Sequence, residues 1–229
     1  MGARTAGDWS ARRLGYSFGD PALLEVALTH RSAGRANYER LEFLGDSVLN
    51  FVVAVLAFQH YPEASEGDLS RYRAALVSSR SLADVAAELE LGDQLRLGGG
   101  ELKSGGFRRG SILADSLEAV FGAIYLDGGL DGARDVIGRL FQTRLAQLPT
   151  AQDLKDPKTR LQEALQSRGL ALPRYTMEEV SGEPHEQWFV ASCVVASLEV
   201  SERGEGPSRR KAEQEAAQRV LAALEQGQA

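Results

Sequence analysis

The 229-residue chain holds one cysteine, three histidines and two tryptophans. A single thiol, Cys193, cannot close an intrachain disulfide, and no Cys/His set has the spacing of a zinc site. So little His and Cys also leaves no Ser/His/Asp or Cys/His constellation for nucleophilic catalysis. Long hydrophobic runs are missing as well. The longest, Phe51 to Phe58, is far shorter than the roughly 20 residues that cross a bilayer. The opening MGARTAGDWSARRLGY lacks an apolar core of signal-peptide length, and Ala6 stands where a myristoylation start requires Ser or Thr. These absences predict a cytoplasmic protein with no membrane attachment and no small-molecule cofactor. Positive charge is not in excess either. The net charge is −6 and the pI about 5.2, which by itself argues against a nucleic-acid partner. The sum is a poor guide, however, when acids gather in one place and bases in another.

What is present begins with Tyr38 to Phe58, YERLEFLGDSVLNFVVAVLAF. It has no proline and is rich in Leu, Val, Phe and Ala, which predicts a helix. At 100° per residue, Glu39, Glu42, Asp46 and Asn50 share one narrow stripe, while apolar residues fill most of the remaining surface. A helix apolar nearly all round is expected to be buried, and carboxylates on a buried helix need a partner. One possibility is a neighbouring Arg or Lys. The other is a divalent cation, for which oxygen-only ligands suit Mg²⁺ or Mn²⁺. Ser111 to Leu126, SILADSLEAVFGAIYL, repeats the design, with Ser111, Asp115, Glu118 and Gly122 on its polar face. Gly122 weakens a helix, and its usual use is to admit another backbone. Two such helices facing each other would enclose a hard cation.

Every other element predicted before residue 150 is helical. Asp20-Pro21 opens a short helix ending at His30-Arg31-Ser32, where His30 is expected to be structural. Ser65 opens one that runs to about Ser78, with Glu66 in its first turn; Ser81 caps another to Leu91. Leu97 to Gly110 is expected to be a flexible Gly-rich loop whose Arg108 and Arg109 could hold a phosphate backbone beside the acids. A last helix spans about Leu130 to Leu148. Residues 150–155 form a linker. Beyond it, a helix over Lys158–Arg168, strands at Arg174–Ser181, Gln187–Val195 and Ser197–Arg203, and a helix over Arg209–Glu225 give a small αβββα domain. At its last helix, Ser208 caps Arg209, Arg210 and Lys211. Cations at a helix N-terminus oppose the helix dipole, so stability alone would not place them there. With free backbone N–H groups they form a trap for phosphate.

ERLEFLGDSVLNFVVA (39–54) resembles the signature of bacterial ribonuclease III, the double-stranded-RNA endonuclease. LTHRS (28–32), EGDLSRYRAALVS (66–78), LGGGELKSGGFRRGSILADSLEA (97–119) and DPKTRLQEALQ (156–166) continue the resemblance. GEGPSRRKAEQEAA (204–217) is similar to the phosphate-binding helix of double-stranded-RNA-binding domains. The resemblance covers almost the whole chain in order. It implies an all-α endonuclease domain (1–149) followed by an α+β RNA-binding domain (156–229). It implies Glu42, Asp46, Asp115 and Glu118 as the metal set, Asp46 and Glu118 as catalytic, and Glu39 and Glu66 as supporting acids. Mg²⁺ is the implied ion, with Mn²⁺ able to substitute, and the products would carry 5′-phosphate and 3′-hydroxyl ends. Gln162, Glu163, Gln166 and His185 would meet the RNA minor groove, and Phe43 would pack against a partner in a homodimer. The natural targets would be rRNA and other structured transcripts.

One departure stands out. Tyr38 precedes the signature where the family commonly has Asn, and Asn37 lies one position earlier, so a capping or orienting bond is expected to be lost or moved. Two rival readings differ in class. A non-catalytic RNA-binding regulator would not need the acids, and a small-molecule metallohydrolase would have little use for Arg209, Arg210 and Lys211.

Overall fold

The computed structural model describes residues 6–183 and 185–225. Two compact units divide between Pro149 and Thr150. In the first, the described residues form helices and no strand. Helix α1 (Ala6–Trp9) runs into a wider π-type turn, Ser10–Leu14; α2 is Pro21–Ala27, α3 Glu39–His60, α4 Glu66–Leu76, α5 Ser79–Glu88, α6 Gly99–Lys103 and α7 Gly110–Ala146.

The helix starts follow local chemistry. Asp20 accepts the Ala22 N–H ahead of Pro21, Ser65 accepts that of Asp68, and Ser78 accepts that of Ser81. The cap of α5 is therefore Ser78 rather than Ser81, because Ser81 is the donor in that bond. The chain before Asp20 is more ordered than a loose terminus: Trp9 is buried and its Nε1–H donates to the Leu89 carbonyl at 2.7 Å. From sequence, residues 1–10 are expected to be loose with Trp9 tucking onto the first helix; the first five of them lie outside the described residues. The two helices anticipated at Ser111 and Leu130 form one run, α7, broken at Gly129, where φ is 68°. Just before that break, Asp127 accepts hydrogen bonds from the Tyr16 hydroxyl and the N–H groups of Gly19 and Asp20.

The core forms where α3 lies against α7, with Leu49, Val53, Leu117, Val120, Phe121 and Ile124 fully enclosed. Two glycines set that crossing. A Cβ on Gly45 would stand 1.7 Å from the Glu118 carbonyl oxygen, and one on Gly122 would stand 2.3 Å from that of Leu41. Any side chain at either position would push the backbones apart. Helix α3 is long and apolar enough by composition to cross a membrane, yet Val48, Leu49, Val52, Val53 and Ala57 are buried inside this unit. Burial is not all-round as anticipated. Phe43, Phe51 and Phe58 are exposed, Phe43 by 79%. Apolar composition cannot distinguish a face covered by the same chain from one left open.

In the second unit, α8 (Pro157–Ser167) precedes an antiparallel sheet in the order β1 (Arg174–Ser181), β2 (Trp188–Val195), β3 (Val200–Gly206), followed by α9 (Arg209–Glu225). Both strand pairs are antiparallel, with a bulge between Met177 and Glu179. The third strand begins later than anticipated because Ala196–Leu198 forms a 3₁₀ turn closed by Glu199 in the left-handed region. Leu161, Leu165, Cys193, Val195, Val220 and Leu221 make the core. Gly204 carries α9 on β3: a Cβ there would lie 2.1 Å from the Ala216 nitrogen. Thr150–Lys155, anticipated as a linker, is folded into turns, with Leu154 N–H donating to the Thr150 carbonyl.

Candidate metal centre and nucleic-acid interface

The Gly45–Gly122 crossing brings the acidic stripes of α3 and α7 together. One carboxylate oxygen each from Glu42, Asp115 and Glu118 lies within 4.8 Å of the others, and all three side chains are partly buried. Burial raises the proton affinity of all three, and neighbouring carboxylates add to it at Glu42 and Glu118. Glu118 is pushed up to about 7, first by desolvation, then by Asp46, Asp115 and Glu42. Glu42 is raised by desolvation and by Asp115, Glu39 and Asp46. Asp115 is raised by desolvation, partly offset by His30 and Arg31. An oxygen-only set with too little positive charge of its own fits a hard divalent cation.

The remaining anticipated acids lie outside that trio. Asp46 is exposed, and its Oδ1 accepts from Asn50 Nδ2 at 2.8 Å. It is near enough to be the leading charge acting on Glu118. Glu39 is exposed and 3.7 Å from Arg31. Glu66, in the first turn of α4, accepts from Ser70 Oγ at 2.8 Å. The departure at Tyr38 is resolved by its neighbour: Asn37 Oδ1 accepts the Glu39 N–H at 3.0 Å. Tyr38 is buried, edge-on to His30, with its phenol pushed up by burial and then by Asp115 and Glu42.

An open cleft of about 410 Å³ reaches Glu42 and Asp115, with His30, Arg31, Glu101 and Arg109 among its other walls. The segment anticipated as a flexible basic loop is instead helix α6 and a 3₁₀ turn at Gly106–Arg108. Its two arginines are engaged. Arg109 pairs with Glu101 at 3.1 Å, and Arg108 stacks over the Phe107 ring at 4.8 Å. His30, expected to be structural, lies in this wall, and Arg31 and Glu101 beside it are wall residues that sequence reasoning did not single out. The signal for Arg31 was position, one helix-end away from the signature.

In the second unit, Gln162 and Gln166 are exposed on α8, as is His185 in the turn after β1. From sequence, Gly182-Glu183-Pro184-His185 is expected to be the turn between the first two strands, and residue 184 lies outside the described residues. Glu163 is less available, because Lys155 Nζ donates to both of its oxygens at 2.7 and 2.6 Å. At the start of α9, Ser208 Oγ accepts the Lys211 N–H. Arg210 and Lys211 are exposed. Arg209 is tied to Glu213 at 2.9 Å, and Glu213 also accepts from Lys158 at 2.8 Å. These pairs hold Glu213 below the usual carboxylate range despite its burial.

On α3, Phe43 is wide open rather than part of the core. The same unit carries a hollow of about 670 Å³ lined in part by Leu23, Val26, Leu41, Leu44 and Leu126.

Comparison with known proteins places both units. Residues 20–145 match a family profile described as ribonuclease-III-like, and residues 157–224 match the double-stranded RNA binding motif. The chain is 57% identical over 213 residues to ribonuclease 3 of Alkalilimnicola ehrlichii, covering 93% of each. It is 56% identical over 215 residues to that of Nitrosococcus oceani, covering 93% of this chain and 92% of the relative. The crystal structure of the ribonuclease III nuclease domain from Campylobacter jejuni is similar at TM-score 0.59 and 43% identity, covering 62% of this chain and 97% of that one. A second structure of that domain, reported for flexibility in a region involved in dimer formation, matches at TM-score 0.58 and 44% identity, covering 59% and 96%. A helical nuclease unit with clustered acids, followed by an αβββα RNA-binding unit, and relatives matched along nearly their full length make this chain a member of the ribonuclease III family, the double-stranded-RNA endonucleases.

Proposed function

We propose that this enzyme is a Mg²⁺-dependent homodimer that cuts both strands of duplex RNA, leaving 5′-phosphate and 3′-hydroxyl ends with short 3′ overhangs. Its targets would be rRNA and other structured transcripts in the cytoplasm. Residues 1–149 would be the nuclease domain, 150–155 the link and 156–229 the RNA-binding domain. The observation that carries this reading is the meeting of Glu42, Asp115 and Glu118 within 4.8 Å of one another at the crossing of α3 and α7.

Glu42, Asp115 and Glu118 would hold the ion, with Asp46 completing the set and Glu39 and Glu66 supporting it. When bound, Mg²⁺ supplies positive charge that activates water and steadies the scissile phosphate and leaving oxygen. Glu118, pushed up to about 7 by burial and by Asp46, Asp115 and Glu42, would give up its share of proton when a cation binds. Asn50 orients Asp46 through its Oδ1. Gln162, Glu163, Gln166 and His185 would read the minor groove, and Arg209, Arg210 and Lys211 the phosphates, as shape recognition of A-form RNA requires.

One site cuts one strand, so paired cuts call for two sites related by a dyad. Phe43 and the apolar hollow belong to the same unit, as a self-complementary two-fold contact needs. Mn²⁺ should substitute for Mg²⁺.

The test is incubation with a long perfect RNA duplex in Mg²⁺, in Ca²⁺ and in EDTA, read at single-nucleotide resolution. Short duplexes with 3′ overhangs, formed in Mg²⁺ alone, are expected. Binding without cleavage in Mg²⁺ and Mn²⁺ would favour the RNA-binding regulator instead.

A further inference from the structure

Arg31 stands at the mouth of the acid cleft on an unusually well-fixed backbone. His30 N–H donates to the Arg96 carbonyl at 3.0 Å, and Arg96 N–H donates to that of Leu28 at 2.8 Å. Tyr38 N–H donates to the Thr29 carbonyl at 2.9 Å. Ser32 N–H donates to His30 Nδ1 at 3.1 Å, leaving the ring proton on Nε2, and Gly98 N–H donates to Ser32 Oγ at 2.9 Å. A Cβ on Gly98 would stand 2.3 Å from the Ser32 carbonyl oxygen, so the two segments are locked together. The side chain that this strap presents is held far less. Arg31 is 71% exposed, and its pair with Glu39 spans 3.7 Å, an ion pair of little strength.

Across the cleft, Arg109 is bound to Glu101 and to Ser104. Arg31 is thus the wall cation with the loosest partner among the described residues. Its charge reaches the acids all the same: it opposes the upward shifts of Glu42 and Asp115.

We propose that Arg31 has two successive roles at this site: it partly balances the carboxylates of the metal-free cleft, and it turns to a phosphate of the bound RNA strand once a metal occupies them. This rests on the metal-site reading above. A guanidinium suits the second role, because its planar fork matches phosphate oxygens. The two roles have opposite consequences for metal. A cation that helps to balance the acids competes with the metal, so its loss should favour the ion while harming the reaction.

The experiment measures Mn²⁺ binding by electron paramagnetic resonance, and separately duplex cleavage, for the full chain and for Arg31→Ala and Arg31→Lys. In Arg31→Ala, Mn²⁺ should bind about three- to tenfold more tightly, as removal of one nearby positive charge implies. Cleavage kcat/KM should fall about tenfold or more. Duplex binding in Ca²⁺ should lose about one unit of salt slope for each phosphate contact removed. Arg31→Lys should restore Mn²⁺ affinity to that of the unchanged protein while recovering only part of the cleavage. Parallel loss of Mn²⁺ affinity and cleavage would make Arg31 merely structural and overturn the inference, as would unchanged cleavage. Failure of the unchanged protein to bind Mn²⁺ would instead remove the metal-site reading, and this inference with it.

Discussion

The acid cleft of the nuclease unit and the RNA-binding unit treat their acids in opposite ways. In the RNA-binding unit three partly or fully buried acids have partners from their own chain. Glu213 holds Lys158 and Arg209, Glu215 accepts the Glu205 N–H at 2.7 Å, and Asp156 accepts from Thr159. All three are held below the usual carboxylate range. In the nuclease unit Glu42, Asp115 and Glu118 face one another, and all three are pushed up. Where a chain supplies its own counter-charge, an acid is a brace. Where it gathers acids with only partial counter-charge from His30 and Arg31, the arrangement suits the external cation proposed above. The net charge of −6 reflects neither arrangement, which is why it misleads about RNA.

The sharpest way to break the contrast is to remove acids from the unpaired group. Asp46→Asn and Glu118→Gln should each lower duplex cleavage by about a thousandfold or more, because the charge that holds the ion is lost. Duplex affinity measured in Ca²⁺ should remain near that of the unchanged protein. Persistence of cleavage in both variants would mean that the acids are braces after all.

A second way is to pull the two stripes apart without touching an acid. Gly45→Ala places a methyl group against the Glu118 carbonyl and should destabilise the fold by about 1–3 kcal/mol or more. Chemical denaturation would measure this, and weakened Mn²⁺ binding should accompany it. A fully stable Gly45→Ala would contradict the backbone contact.

The paired region yields a smaller effect. Arg210→Ala with Lys211→Ala should weaken duplex binding about tenfold and flatten its salt dependence, with little change in stability, since neither side chain is buried. Arg209→Ala differs: it also frees one oxygen of buried Glu213, so it should cost stability as well. Smaller still, Phe43→Ala should shift the monomer–dimer balance toward monomer in sedimentation without lowering the melting temperature of the monomer, because this side chain is exposed within its own chain.

Much of this contrast was legible in the sequence, and the gaps have physical causes. The stripes of Glu42/Asp46 and Asp115/Glu118 follow from helical periodicity, and Gly122 signals the close approach. Gly45 was passed over because it sits within the signature among apolar residues, where a glycine looks like filler. The openness of Phe43, Phe51 and Phe58 was not legible from the residues themselves, since apolarity reports a wish for burial and not who provides it. The order in Leu97–Gly110 was missed because glycine suggests freedom. There Gly98 is needed to fit against Ser32, and Gly106 approaches Glu101. Arg109 and Glu163 read as available contacts until Glu101 and Lys155, their partners in the fold, came into view.

The central claim is that the unpaired acids await a divalent cation, and proton release on metal binding tests it most directly. Glu118, raised from its ordinary 4.5 to about 7, favours the metal-free fold in its protonated form. That contribution is complete below the unfolded value and is lost as pH rises through the folded one. A bound cation reverses this, so metal should raise the melting temperature more at pH 8 than at pH 5. Calorimetric titration of Mn²⁺ near pH 6.5, in two buffers of different ionisation enthalpy, should show net proton release that Glu118→Gln abolishes. Mn²⁺ binding with no proton release, or binding untouched by Glu118→Gln, would contradict the claim.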